Sequence, residues 1–382
     1  MSMDTYPLDS LSIEEAMHRQ FKLVDVMTRH FRGEELLSLG DLGVVKGINK
    51  PRFTKKIEET LADFFGTEKA MLVRGAGTGA LRFGFMSFLK PGDEILVHDA
   101  PIYPTSKTTL ESMGILPIYA DFHDSEQIKE AILKHPKLKG VLIQHTRQKI
   151  DDHYDLAETI KKIRSIYSDL VIITDDNYAA MKAEKIGAQL KADLSTFSLF
   201  KLLGPEGIGV ILGRKNLIEK IEKINYSGGS QVQGYEALEA LRGLIYAPVM
   251  LAIQASVNDQ LVHSLNNGAI KGVKKAYLAN AQSKVLLVEF VKPIAEKVLH
   301  HANELGAAPH PIGAESKYEF APMFYRVSGT FLSADPSLAK KMIRINPLRS
   351  GPETILRILN TSVHRATEDL SVNSSKGDDI NE

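Results

Sequence analysis

Short apolar runs recur through the middle of the chain, at 70–73, 94–97, 115–119, 140–144, 170–174, 194–200 and 208–212. Between several of them lie stretches with helical spacing, at 79–89, 105–113, 124–134 and 153–167. Strands apolar on both faces and separated by helices of roughly 10–15 residues make a mostly parallel central sheet covered by helices on both sides. The pattern predicts a doubly wound α/β domain, whose ligands sit at the carboxyl ends of its strands.

The flanks read differently. Between Leu11 and Phe31, the residues Ile13, Met17, Phe21, Val24 and Phe31 fall on one helical face, with Ser12 as the N-cap. Residues 40–53 hold three glycines and a proline and read as an irregular connection; a second helix over Thr54–Phe65 closes at Gly66. After Gly213, residues 215–223 and 233–303 read as mainly helical, with a polar break near 263–274. Residues 308–365 mix turn signals with short apolar runs and a last helix from about 352, which predicts a smaller α+β C-terminal domain, completed by the N-terminal helix. The resulting division is 1–50 for an N-terminal helix and arm, 51–250 for the large α/β domain, 251–370 for the small domain and 371–382 for a disordered polar tail.

Composition narrows the function classes. The 382 residues carry 47 basic and 47 acidic side chains, so the formal net charge is zero and nothing favours nucleic acid or an anionic membrane. Zero cysteines exclude disulfides, thiolate metal sites and a cysteine nucleophile, and no metal centre is expected. Without a run of ~20 apolar residues, and with an acidic N-terminus unlike a signal peptide, the expectation is a cytoplasmic enzyme.

The segment AMLVRGAGTGALRFGF (70–85) reads as a strand, a Gly-rich turn and a helix. Such a turn offers backbone amides at a helix N-terminus, where the helix dipole favours a phosphate. Two cofactor classes fit. Gly75 to Ala80 satisfy a dinucleotide fingerprint, with Asp99 downstream as a ribose ligand for an NAD(P)-dependent oxidoreductase. The alternative rests on Asp175, at the end of one apolar run, and Lys201, just past the next and before Gly204-Pro205. A partly buried lysine there can form a Schiff base with a carbonyl.

These motifs together resemble the aspartate aminotransferase superfamily, the fold-type I pyridoxal 5′-phosphate (PLP) enzymes. VRGAGTGALRFGF resembles the phosphate-binding segment, which implies Ala76, Gly77 and Thr78 as phosphate ligands. Asp175 with Tyr178 resembles the pair that meets the pyridine nitrogen and the phenolic oxygen. Ser198-x-x-Lys201 resembles the motif whose lysine bonds to the cofactor and whose serine touches the phosphate; Tyr103 resembles the aromatic residue stacked on the ring. Arg344, in MIRINPLRSGP, resembles the arginine that grips the substrate α-carboxylate, with Arg349 as its rival.

The resemblance departs at 140–151, where an Asn-Pro-x-Gly segment is replaced by GVLIQHTRQKID. Gln144, His145, Thr146 or Arg147 must then take the asparagine's place, with His145 the obvious substitute. VLIQHTR with DDNY looks more like the lyase branches. The resemblance implies a homodimer acting on an amino acid or related amine, with Ser230 and Gln231 near the other subunit's site. The reaction implied is aminotransfer, with β- or γ-elimination of the cystathionine lyase kind as the alternative.

Overall fold

The structure, a computed structural model, describes residues 4–146, 149–282, 284–313 and 315–375. They form two compact units. One comprises Ser10–Gln148 and Asp152–Val249; the other takes the described residues of Met1–Asp9, Lys149–Asp151 and Met250–Glu382.

The first unit begins with α1 (Ile13–His30), α2 (Gly33–Leu36) and α3 (Arg52–Phe65). It continues through β1 (Lys69–Arg74), α4 (Ala76–Met86), β2 (Glu94–His98), α5 (Pro104–Ser112), β3 (Leu116–Ala120), α6 (Ser125–Lys134), β4 (Leu138–Gln144) and α7 (Leu156–Ile166). Then follow β5 (Val171–Asp175), β6 (Leu194–Ser198), β7 (Ile208–Gly213), α8 (Lys215–Ile224) and the start of α9 (Gly234–Asn266). All seven strands join one sheet in the order β1-β7-β6-β5-β4-β2-β3. Only β7 runs against the others. Side chains alternate between two cores: Ile95, Val97, Leu142 and Ile173 face one, with Leu81 and Phe85 of α4, while Leu96, Val141, Ile143 and Ile172 face the other, with Ile160 and Ile163 of α7. Burial on both faces is why these strands are continuous apolar runs. The strand directions also bring the ends of β1, β5 and β6 and the start of β7 to one edge of the sheet.

Two expectations for the N-terminal helix need correcting. Ser12 does cap α1, in a reciprocal box with Glu15. The helix, however, belongs to the first unit, not the small domain. Its inward face is Ala16, Leu23, Val26 and Met27, whereas Ile13, Met17, Phe21 and Val24 are each 40% exposed or more. The helix carries two apolar stripes, and packing selected the other one.

The second unit includes the rest of α9, then β8 (Val273–Ala279), β9 (Val285–Phe290), α10 (Ala295–Glu304), β10 (Met323–Arg326), α11 (Gly329–Ala334), α12 (Leu338–Lys341), β11 (Met342–Asn346) and α13 (Pro352–Ser375). Its sheet is antiparallel, in the order β10-β11-β9-β8. Phe324, Ile343, Ile345, Leu286 and Val288 face a core shared with α10 and α13. The sequence reads as mainly helical over 233–303 apart from the polar break near 263–274, but β8 and β9 occupy 273–290. β9 is buried on both faces, with Leu286 and Val288 in one core and Val285 and Leu287 in another, so it shows no strand alternation that would set it apart from the apolar helices around it in sequence. The last helix runs to Ser375, into the segment 371–382 expected to be disordered; the residues beyond 375 lie outside those described. By length and composition Gly228–Asn266 could cross a membrane, but over half of its most apolar stretch is buried in the protein, with Ala237, Leu241 and Leu244 packed inside.

Candidate active site

The Gly-rich turn joins β1 to α4. Gly75 adopts φ +96°, a left-handed conformation that glycine reaches at least cost, and precedes the helix as its N-cap. The amides of Gly75 and Ala76 donate to the Gly207 carbonyl at the head of β7, and the first helical bond runs from Gly79 to Gly75. Helix geometry leaves the next amides, of Gly77 and Thr78, at the open turn. The Thr78 hydroxyl lies 3.1 Å from that of Thr105, in the first turn of α5, a second hydroxyl that the motif reading did not include.

At the end of β5 two adjacent carboxylates part company. Asp176 is fully buried and engaged on every side: it accepts from the Thr174 hydroxyl at 2.5 Å and the Gly187 amide at 3.2 Å, and it meets His145 Nδ1 at 2.8 Å. Asp175 accepts from the Asn177 carboxamide at 2.7 Å and the Asn177 amide at 3.1 Å, both at Oδ1. Burial pushes the Asp175 carboxyl above its ordinary value and Asp176 adds to this; the Asn177 donors and the Lys201 charge pull it back.

Lys201 follows β6 in a single 3-10 turn, Phe200–Leu202, and its Nζ lies 3.9 Å from the centre of the Tyr178 ring. Tyr178 holds φ +65°, uncommon outside glycine. Ser198 ends β6, buried, and its amide donates to Asn177 Oδ1 at 3.0 Å. The Gly-rich turn, Asp175, Tyr178, Ser198 and Lys201 therefore all belong to one unit and gather about its strand ends.

The other expected residues divide. Tyr103 caps α5, and its amide donates to the Gln144 side chain at 2.9 Å, so Gln144 is spent as a backbone anchor. His145 is buried with Nδ1 on Asp176, and its amide donates to the Asp175 carbonyl. Arg147 lies outside the described residues. The Gln231 carboxamide is buried and donates to the Asn225 carbonyl of its own chain, and the Ser230 hydroxyl donates to the Ser227 carbonyl.

Both arginines lie in the second unit. Arg344 projects from β11 with its guanidinium 4.1 Å from the Tyr325 ring centre and Nε donating to the Arg326 carbonyl. It lines a hollow of about 420 Å³ shared with His300, Asn303, His310 and Arg326. Arg349 follows β11; its Nη1 is buried without a hydrogen bond among the described residues, and burial pulls its proton affinity down against the lift of Glu315 and Glu319.

A second cluster involves none of the residues singled out in the sequence. His98, Asp121 and His123 converge beyond β2 and β3 in a group able to hold a metal ion. His98 is already engaged at both nitrogens, accepting from the Phe122 amide and facing Asp152 at 3.1 Å.

PLP fits the residues at the strand ends. A buried carboxyl lifted by its surroundings is stabilised as a carboxylate by a cation such as a protonated ring nitrogen, and the helix turn suits a phosphate. The NAD(P) reading loses its support, because Asp175 and Lys201 join the Gly-rich turn and the comparisons point the same way. A family model described as "Aminotransferase class-V" matches residues 50–242, and one described as "YhfS-like, C-terminal domain" matches 259–359. Protein YhfS of Escherichia coli is 52% identical over 94% of this chain and 99% of its own. The crystal structure of that protein, described as pyridoxal-5′-phosphate dependent, superposes with a TM-score of 0.92 over 95% of this chain and 100% of the other. A probable cysteine desulfurase of Ureaplasma parvum is 30% identical over 38% of each chain. A putative cystathionine β-lyase of Listeria monocytogenes shares the fold, at 17% identity and a TM-score of 0.68 over 93% of this chain and 95% of the other. The chain belongs to the class-V aminotransferase family, among the fold-type I pyridoxal 5′-phosphate-dependent enzymes.

Proposed function

We propose that the chain acts on an α-amino acid, with PLP held at the strand ends of the first unit, and that the reaction is transamination. The observation that carries this reading is the convergence of the Gly-rich turn, Asp175 and Lys201 on one edge of one sheet.

Each residue has a physical task. Gly77 and Thr78 would bind the phosphate through their amides, and Ser198 would add its hydroxyl. Asp175 would keep a proton on the ring nitrogen, because an ionised partner is the way to charge a buried carboxyl. Tyr103 would cover the ring face, and Tyr178 and His145 would meet its phenolic oxygen. When bound, PLP supplies an electron sink for charge that develops at the substrate Cα. Lys201 Nζ would hold the cofactor covalently and, once displaced by the substrate amine, would take the proton from Cα as a base and deliver it to the cofactor side as an acid. An arginine fork would bind the α-carboxylate, by Arg344 from its open hollow or by Arg349 through its unsatisfied Nη1.

Elimination is the second reading. Where the transaminase-like pattern has asparagine, this chain commits Gln144 to the Tyr103 backbone and leaves His145 beside Asp175. Thiol-mediated sulfur transfer is disfavoured on chemical grounds, since this chain holds no cysteine. We further propose a homodimer. Leu37, Leu39 and Leu42 are between 78% and 87% exposed in the arm after α2, an apolar run that a second copy would cover.

The test is direct. Purified protein should absorb in the visible, and borohydride reduction followed by peptide mapping should place the pyridoxyl group on Lys201; another lysine would refute the assignment. A panel of amino acids then separates the reactions. Keto acid with pyridoxamine phosphate means transamination, whereas keto acid with free ammonia means elimination. Light scattering after size exclusion should give twice the chain mass.

A further inference from the structure

Asn177 touches three parts of the site and has so far been given no task. Its carboxamide nitrogen donates to Asp175 Oδ1 at 2.7 Å, and its backbone amide donates to the same oxygen at 3.1 Å. Its carboxamide oxygen accepts from the Ser198 amide at 3.0 Å, at the end of β6 just before Lys201. The same carboxamide lies under the phosphate turn, where a Cβ on Gly77 would come within 2.5 Å of its nitrogen and 2.6 Å of its oxygen. One side chain thus uses its donor on the carboxylate, its acceptor on the lysine-bearing strand and its flat face against the Gly-rich turn.

We propose that Asn177 is a positioning residue of the cofactor site: it fixes Asp175 by one oxygen so that the other is presented to the ring nitrogen, and it sets the phosphate turn and Ser198 at matching heights. This rests on Asp175 being the ring partner. Asp176 cannot share the task, since Thr174, His145 and Gly187 already occupy it. The chemistry requires both ends of a carboxamide. Aspartate at 177 has nearly the same shape and still accepts from Ser198, yet it loses the donor and sets a second negative charge beside Asp175. Alanine removes donor, acceptor and the surface beneath Gly77.

The test reads the ring nitrogen itself. Holoenzyme reconstituted with PLP labelled with ¹⁵N in the ring is titrated by NMR, where the nitrogen shift reports its protonation. In the wild type the nitrogen should stay protonated well above the range of free pyridines. Asn177→Ala removes the carboxamide donor and leaves Asp175 held by the backbone amide at 177 alone; with the carboxylate no longer fixed toward the ring, the pH of half-deprotonation should fall by about one unit, a tenfold loss of proton affinity. Asn177→Asp regains a donor toward Asp175 only when one of the two carboxyls is protonated, so the midpoint should move the same way but less far than in Asn177→Ala, with the lysine-bound absorbance left in place. A second readout is phosphate-side. Gly77→Ala should weaken PLP binding in the wild-type background and much less in Asn177→Ala, because the atom that would clash is then gone.

Each other outcome overturns something identifiable. If both Asn177 variants keep the wild-type midpoint while Asp175→Ala shifts it, Asn177 does not position the carboxylate. If Asp175→Ala also leaves it unchanged, the assignment of Asp175 fails and takes this proposal with it. If Gly77→Ala weakens PLP equally in both backgrounds, the two residues are not coupled and the positioning role is refuted at the phosphate turn.

Discussion

The two units build their sheets by opposite rules, and the difference shows in where their functional candidates lie. In the first unit six of seven strands run the same way, so successive strand ends arrive at one edge and residues far apart in sequence (Gly75, Asp175 and Ser198) become neighbours. In the second unit the strands alternate in direction, so no edge collects their ends. Its candidates are held singly: Arg344 projects from mid-strand onto Tyr325, and Arg349 sits among Glu315, Ser316 and Glu319 past the end of β11. A parallel sheet assembles a constellation by topology alone. An antiparallel one offers isolated side chains, each needing its own local support.

The largest expected effects test whether the cofactor depends on the first sheet alone. Phe85 and Phe324 are fully buried in the cores of the first and second units. Replacing either by alanine should cost about 3–5 kcal/mol of stability. Phe85→Ala, behind α4, should also weaken PLP retention in the folded protein, whereas Phe324→Ala should leave the visible absorbance of the folded fraction intact. Equal loss of PLP in both would break the contrast.

Next is Asp175→Ala. It should lower turnover by about 10²–10³-fold, the scale of losing one preorganised electrostatic partner, while PLP remains bound through the phosphate. Near wild-type turnover with PLP bound would mean another group faces the ring.

The arginines sharpen the other side. Lysine keeps the charge but loses the planar fork, so the correct Arg→Lys change should weaken substrate binding by about 1–3 kcal/mol without altering the cofactor spectrum. Affinity measured for Arg344→Lys and Arg349→Lys, with a carboxylate-free amine as control, decides between them. If neither matters, the substrate lacks an α-carboxylate.

The smallest effect concerns support within the second unit. His301 on α10 lies 2.9 Å from Asp369 of α13 and 3.2 Å from Glu304, which also faces His300 and Arg365. Burial lowers the His301 proton affinity, but the hydrogen bonds to Asp369 and Glu304 outweigh it and raise the group above its ordinary value; His301 in turn holds both carboxyls below theirs. The imidazolium therefore stabilises fully below the ordinary histidine value of about 6.5, and this is lost as pH rises through the raised folded value; in acid the contribution fades as the carboxylates protonate. His301→Gln should lower the melting temperature more at pH 6 than at pH 9. A loss independent of pH would mean packing rather than charge.

Much of the first unit was legible in the sequence because double burial and chain order leave local marks. Continuous apolar runs located all seven strands, and a glycine turn between strand and helix has few other uses. The second unit was less legible: β8 and β9 fell within a stretch read as helical, since two short strands between long helices give too few periods to distinguish.

What the sequence determined, then, was the set of elements in the α/β unit and the residue types able to hold a phosphorylated, carbonyl-bearing cofactor, because both follow from local pattern. Which face of α1 would be buried, which of two neighbouring aspartates would be saturated, and that Asn177 would link three segments were decided only in three dimensions. Apolar stripes, carboxylates and amides look alike along a chain. Their partners, drawn from distant segments, assign each its role.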